Sequence, residues 1–232
     1  MNWEKTIVQA RTNPEFLHVI EQSYLAEDLV KNVERFRQSE EFIETLKQMA
    51  SYFGDKKLRI LDLGSGNGIS AISFALQGHE VTAIEPDPSD TVGRGAIKKL
   101  CDHFHVLVNV VEGFGENTGM DNVSFDLVYT RQVLHHAADL NAFIKECYRV
   151  LKHNGILFTV RDHVIYNEKD KNWFLNTHPF HRYYGGENAF TLNEYTKGFA
   201  LAGFQIDKMF KFYDSVINYS PMSQQEYRNF PE

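Results

Sequence analysis

Residues 58–68 read Leu58-Arg59-Ile60-Leu61-Asp62-Leu63-Gly64-Ser65-Gly66-Asn67-Gly68, and the order of these residue types decides the fold. The apolar run through Leu63 has the length of a buried strand, and Gly64, Gly66 and Gly68 alternate directly after it. Ile69 to Leu76 is then apolar enough for a packed helix, which Gly78 stops. Glycine lets the backbone turn tightly and approach a ligand, and a helix N-terminus offers unpaired amides to it. In a parallel sheet such a loop sits where ligands bind, beyond the carboxyl ends of the strands. The spacing separates this loop from two better known ones. A dinucleotide fingerprint needs its third glycine where Ile69 stands, and a phosphate-binding P-loop needs a Gly-Lys-Ser/Thr ending that is absent.

Working outward, a second strand runs from Glu80 to Glu85 and is closed by Pro86 and Pro88. A helix is expected over Thr91 to Phe104, strands over Val106 to Val111 and Phe125 to Tyr129, a helix over Leu140 to Leu151, and a strand over Gly155 to Val160. Strands that alternate with helices predict an α/β domain whose mostly parallel sheet is covered on both faces. Ahead of the core, Asn13-Pro14 is a helix-start signal, and a helical pattern from Pro14 to about Phe53 reads as a lead-in that packs on or lids the domain. Beyond Arg161, residues 164–189 are rich in aromatics and histidines and read as an insertion over the sheet edge. Thr191 and Glu194 form a capping box for a helix ending at Gly203, and Phe204 to Phe212 and Asp214 to Tyr219 are expected as final edge strands. The chain divides as one domain: lead-in 1–55, core 56–162, insertion 163–190, and C-terminal helix with edge strands 191–232.

Composition narrows the functions. The chain has 232 residues, 43% hydrophobic and 24% charged, the balance of a soluble protein with a core. A formal net charge of -7 argues against nucleic acid, because phosphate binding needs a basic face. Met1-Asn2-Trp3-Glu4-Lys5 has no apolar leader, no apolar run approaches membrane length, and Cys101 and Cys147 are too few for a disulfide framework. The expectation is a cytoplasmic protein, monomer or homodimer, acting on a small molecule.

Glu85 ends the second strand, where a carboxylate can accept both hydroxyls of an adenosine ribose. That diol belongs equally to S-adenosylmethionine and to a non-phosphorylated NAD ribose. Three motifs in order then carry a resemblance. Ile60 to Gly68 looks like motif I of class I S-adenosylmethionine-dependent methyltransferases, small-molecule type, similar to methyltransferase domain 11. Phe125-Asp126-Leu127-Val128-Tyr129 resembles their fourth-strand motif, and Arg149 to Leu157 their approach to strand five, with Asn154 where glycine is usual. The match covers Arg59 to Asp162 and implies a Rossmann-like, mostly parallel seven-stranded sheet.

The resemblance also implies a division of roles. Gly64, Ser65, Gly66 and Gly68, with Asp62, would line the methionine and ribose parts of S-adenosylmethionine, and Glu85 and Pro86 would hold the ribose. Gly113, Phe114 and Gly115 would flank the adenine, although relatives often carry an acid where Phe114 stands. Thr130 and Arg131 would floor the methionine part. Asp62 has an equal claim to a structural role, bonding amides of the loop.

Histidine supplies the candidate proton acceptors: His135 and His136 after strand four, His163 after strand five, and His181 in the insertion. His178-x-x-His181 has ligand-like spacing, but without an accompanying carboxylate or cysteine cluster no metal is assigned. With Tyr183, Tyr184 and Glu187 these residues read as the lining of an acceptor pocket, which Arg161, Asp162 and His163 should also face. The expected reaction is methyl transfer to a small polar acceptor, through a hydroxyl or amine rather than carbon. The alternatives are a catalytically silent methyltransferase-like binding protein and an NAD-dependent oxidoreductase.

Overall fold

A computed structural model describes residues 2–178 and 180–228. Four helices lead in: α1 (Trp3–Arg11), α2 (Leu17–Gln22), α3 (Leu29–Gln38) and α4 (Glu40–Phe53). The core follows as β1 (Arg59–Leu63), α5 (Ile69–Leu76), β2 (Glu80–Ile84), α6 (Arg94–Phe104), β3 (Val108–Val111), β4 (Phe125–Arg131), α7 (Leu140–Val150) and β5 (Leu151–Val160). The insertion holds β6 (Val164–Ile165), α8 (Glu168–Thr177), α9 (His181–Tyr184) and β7 (Phe190–Thr191), and α10 (Leu192–Ala202) and α11 (Gln224–Arg228) close the chain.

The main sheet has order β3-β2-β1-β4-β5 and every pair in it is parallel. The order reverses beside β1, so the glycine loop opens at the switch point. Alternation along β1 feeds two cores. Ile60 packs with α3, α4, α5 and α6 residues such as Phe36, Phe42, Phe74 and Leu100, whereas Leu61 and Leu63 pack with Phe143, Ile144 and Cys147 of α7. A strand buried on both faces is mostly apolar, and in β1 and β2 the buried exceptions are Asp62 and Thr82.

Three expectations about elements are corrected. The main sheet has five strands rather than seven, and β6 and β7 form a separate two-stranded parallel sheet. Residues 204–211 are largely exposed and join no ladder; Tyr52 Oη bonds Asp207 and Lys208 Nζ bonds Gln48 Oε1 at 3.0 Å, so side chains fix this segment to α4. Residues 212–218 make two short 3₁₀ turns where a second edge strand was expected. The Asn13-Pro14 signal starts a turn, with Asn13 Oδ1 accepting from Glu15 N at 3.0 Å, and α2 begins only at Leu17. The capping box holds: Glu194 Oε2 accepts from Thr191 N at 2.7 Å while Thr191 Oγ1 accepts from Glu194 N at 3.2 Å.

The lead-in does cover the domain. Ile7, Phe16 and Ile20 share a core with Val92 and with Phe180 of the insertion, and Trp3 packs on Phe180 and Tyr184 at centroid distances of 5.7 and 5.3 Å. No helix among the described residues is long and apolar enough to cross a membrane.

Candidate functional site

The glycine loop is held by β2. Gly64 N and Ser65 N donate to Ile84 O at 2.8 and 3.1 Å, and Gly66 N donates to Glu85 Oε2 at 2.7 Å. Gly64 has φ +73° and a Cβ there would meet Val133 at 2.5 Å, so both conformation and space require glycine. At Gly66 (φ +55°) a Cβ would meet nothing within 4 Å, so this backbone faces open space where a ligand can approach it.

Asp62 is buried and accepts from Ser70 Oγ at 2.7 Å; burial pushes its carboxyl up to about 6 against the pull of Ser70 and Ser65. Its bond is to Ser70 in the helix that follows the loop, not to the amides of the loop itself. Glu85 is also buried, and its other oxygen accepts from Asp87 N at 2.9 Å. Burial pushes Glu85 up to about 7 despite those two amides. A carboxylate has about four acceptor sites, so this one has unused capacity at the loop mouth. Arg94, which sequence reasoning missed, fixes the strand end by donating to Glu85 O at 2.8 Å and Pro86 O at 2.7 Å. Asn67, also missed, ties the loop to the lead-in by donating to Tyr24 O at 2.8 Å. Neither residue type signals such a long-range role locally.

The remaining expected cofactor residues separate. Thr130 is fully buried at the end of β4, and its Oγ1 forms no hydrogen bond among the described residues. Gly113 approaches Ile84, and a Cβ on Gly115 would lie 1.9 Å from the Phe143 ring, so Gly115 is demanded by packing on α7. The Phe114 side chain is exposed. The Arg131 guanidinium lies against Glu41, which it bonds through Nε at 2.6 Å and Nη2 at 3.0 Å. Arg161 Nη1 reaches the same carboxylate at 2.9 Å, so of Arg161, Asp162 and His163 the first turns away from the pocket toward α4. Glu41 is fully buried and compensates both arginines.

Beside this loop the structure assembles a histidine cluster from three distant segments. His135 sits in a 3₁₀ turn two residues beyond Val133, the residue that abuts Gly64. Asp162 Oδ1 lies 2.9 Å from His135 Nδ1 and also accepts from His135 N at 3.1 Å, while Thr159 Oγ1 bonds the second Asp162 oxygen. Glu187, only 8% exposed, sits among the rings: His135 Nε2 and His136 Nδ1 are each 3.7 Å from its Oε2, and His178 Nδ1 is 3.6 Å from its Oε1. His163 stacks into the group, with its ring 5.1 Å from that of His135 and 4.4 Å from Phe174. Tyr195 of α10 fixes its backbone by donating to His163 O at 3.1 Å.

These environments give the imidazoles different states. Burial would lower His135, but Asp162 and Glu187 hold it up at about 9. Burial and then the charges of His135 and His178 press His163 down to about 4, and burial followed by His135 lowers His136. Burial raises Glu187, yet His135, His136 and His178 bring it to about 2. At neutral pH the arrangement pairs a protonated His135 with neutral His136 and His163. His181 lies near His178 but makes no described contact with Glu187, and its Nδ1 has no hydrogen bond among the described residues. Glu187 was expected only as pocket lining, and nothing near it in sequence announces a role at the centre of three histidines.

Residues 61–159 match the family model described as a methyltransferase domain. The match takes in the core of the chain, and the strand order and glycine loop agree with it. Among curated proteins it is 34% identical over 117 residues to a ubiquinone biosynthesis O-methyltransferase of Rickettsia prowazekii, covering 50% of this chain and 44% of that one. A protein of the same name from Azorhizobium caulinodans is 29% identical over 102 residues, covering 44% of this chain and 39% of its own. The chain thus matches less than half the length of these relatives. Among solved structures, a Bacillus halodurans protein provisionally named a methyltransferase superposes with a TM-score of 0.62 at 25% identity, covering 72% of this chain and 70% of that one. S-adenosylmethionine is the cofactor of this domain class, and the under-bonded Glu85 beside the open backbone of Gly66 fits its ribose.

Proposed function

We propose that this protein transfers a methyl group from S-adenosylmethionine to a hydroxyl of a small polar acceptor, and that the two halves of its site divide the work. The observation that carries the reading is the position of the histidine cluster, directly beyond Val133 and therefore next to the glycine loop. Glu85 would accept both ribose hydroxyls, Pro86 would border them, and the Gly64, Ser65, Gly66 and Gly68 backbone would line the cofactor toward its methionine end. Gly113, Phe114 and Gly115 would supply backbone along the adenine, and Thr130 has an unused hydroxyl at the floor.

When bound, the cofactor supplies an electrophilic methyl on a sulfonium, and displacement of the sulfur needs a nucleophile aligned behind it. The chain's own task is alignment, exclusion of water and removal of one proton. His163, half-buried and neutral, is the proton acceptor we assign; His135, held between Asp162 and Glu187, orients the group. His136 remains neutral at the mouth, and His181 belongs to the outer wall. The names of the curated relatives, both O-methyltransferases, support oxygen over nitrogen as the accepting atom.

The test is calorimetry with S-adenosylmethionine, S-adenosylhomocysteine and NAD, followed by turnover of a methyl-labelled cofactor over panels of small phenols, alcohols and amines. The reading expects binding of both sulfur ligands and label on oxygen. Binding of NAD alone would replace it with an oxidoreductase. Cofactor binding with no turnover over either panel would favour a silent binding protein.

A further inference from the structure

We infer that His135, His136 and Glu187 hold a divalent transition-metal ion at the acceptor end of the site. One ligand atom from each of these residues lies within 4.8 Å of the others. The distances from Glu187 to His135, His136 and His178, 3.6–3.7 Å, are too long for hydrogen bonds. Buried polar atoms are nearly always bonded, yet of the nitrogens that face this carboxylate His178 Nδ1 is buried with no hydrogen bond among the described residues. Ligands about 2.1 Å from a tetrahedral ion lie roughly 3.4 Å apart, close to the 3.7 Å that separates Glu187 Oε2 from each of the two imidazole nitrogens. The widest ligand separation, up to 4.8 Å, has to close by roughly 1.4 Å.

Two further observations point to the same ion. Asp162 engages His135 Nδ1 at 2.9 Å and leaves Nε2 directed at Glu187, where the ion would displace the proton that the two carboxylates otherwise hold on the ring. A carboxylate behind a histidine is the usual support of a metal-bound imidazole, since it fixes the ring and raises its basicity. His178 Nδ1 is buried without a hydrogen bond among the described residues and faces the second Glu187 oxygen, where it can serve as a fourth ligand or border an open position. The cost falls on His136, whose Nδ1 lies 3.1 Å from Gly186 O and must exchange that contact for the ion.

Two imidazoles and one carboxylate are a borderline donor set, suited to Zn²⁺, Co²⁺ or Fe²⁺ and leaving positions open for an oxygen ligand. The ion itself does not depend on methyl transfer. Its role does rest on the reading above: it would take the acceptor's hydroxyl as a ligand, making that oxygen easier to ionise while His163 receives its proton. This departs from the sequence, in which only His178-x-x-His181 looked like a ligand pair.

The experiment uses the full chain, stripped with a chelator and dialysed, then titrated with Zn²⁺ by calorimetry and with Co²⁺ by visible absorption. We expect one equivalent of either ion, with a Co²⁺ spectrum perturbed by imidazole ligands. Glu187→Gln should weaken Zn²⁺ at least about tenfold, and Asp162→Asn by about 10–100-fold as expected for loss of the group behind a ligand. His136→Gln, at a partly exposed position, gives the same readout if the Glu187 variant does not fold. Calorimetry with S-adenosylhomocysteine on each protein reports folding and the cofactor half separately. No stoichiometric ion in wild-type protein that binds S-adenosylhomocysteine would overturn the inference, as would unchanged Zn²⁺ affinity in folded Glu187→Gln or His136→Gln. Stoichiometric Zn²⁺ in protein that ignores both sulfur ligands would sustain the metal and overturn the methyltransferase reading.

Discussion

The glycine loop and the histidine cluster are neighbours in space but are built in opposite ways. The loop is made by residues 62–70 and finished by the next strand, with the Gly66–Glu85 bond spanning 19 positions. The cluster joins residue 135 to 162 across 27 positions and then to 187, on elements that share no local pattern. One region is a local motif with a backbone requirement, and the other exists only after the chain has folded. A family can therefore keep the first while altering the second.

The contrast can be broken most forcefully at the feature both regions share. Glu41 accepts from Arg131 at the end of β4 and from Arg161 just beyond β5, so Glu41→Gln leaves two buried arginines poorly compensated. Chemical denaturation should show a loss of about 3–5 kcal/mol. Cofactor affinity and turnover should fall together, and loss of only one would mean that α4 supports the halves independently.

Glu85→Ala should remove about 2–4 kcal/mol of S-adenosylhomocysteine affinity, measured by calorimetry, because two hydroxyls lose a charged acceptor. Metal content at the cluster should not change. An unchanged affinity in folded protein would place the ribose elsewhere.

His163→Ala is the converse. Turnover on a productive acceptor should drop about 10²-fold, with cofactor affinity unaltered. A variant that retained full turnover would remove His163 from the chemistry.

The smallest effect is a pH dependence. Burial raises Glu85 to about 7 in the folded protein, so the free protein holds a proton there that an unfolded chain releases at ordinary carboxylate pH. Stability from this group is therefore complete below that ordinary range and is lost as pH rises through about 7. Ribose hydroxyls favour the ionised form, so S-adenosylhomocysteine affinity should rise by about tenfold between pH 6 and 8. Calorimetry on Glu85→Gln should show that increment gone; an identical slope in both proteins would assign it to another group.

The parts of the molecule legible in the sequence were those set by short-range rules. Alternation, glycine spacing and the Thr191–Glu194 box located the core, the loop and α10. Strand patterns failed where a partner was needed: Phe204, Ile206 and Phe210 have the spacing of an edge strand, yet residues 204–211 pair with no other strand and are held by side chains from α4. Arg131 stands where a cofactor floor was expected, but its partner Glu41 lies 90 residues earlier. Glu187 is the extreme case. Its neighbours in sequence, Gly186 and Asn188, say nothing of the three imidazoles around it.

Gly115 carries one evolutionary consequence. It adjoins the expected adenine strip, so its persistence among related chains would be taken as the mark of a ligand. Yet a Cβ there would lie 1.9 Å from the Phe143 ring, and the residue would be retained even in a descendant that had lost the cofactor. Related sequences should replace Gly115 only where the residue aligned with Phe143 has become smaller. That covariation, rather than constancy at either position, distinguishes an inherited packing constraint from an inherited ligand.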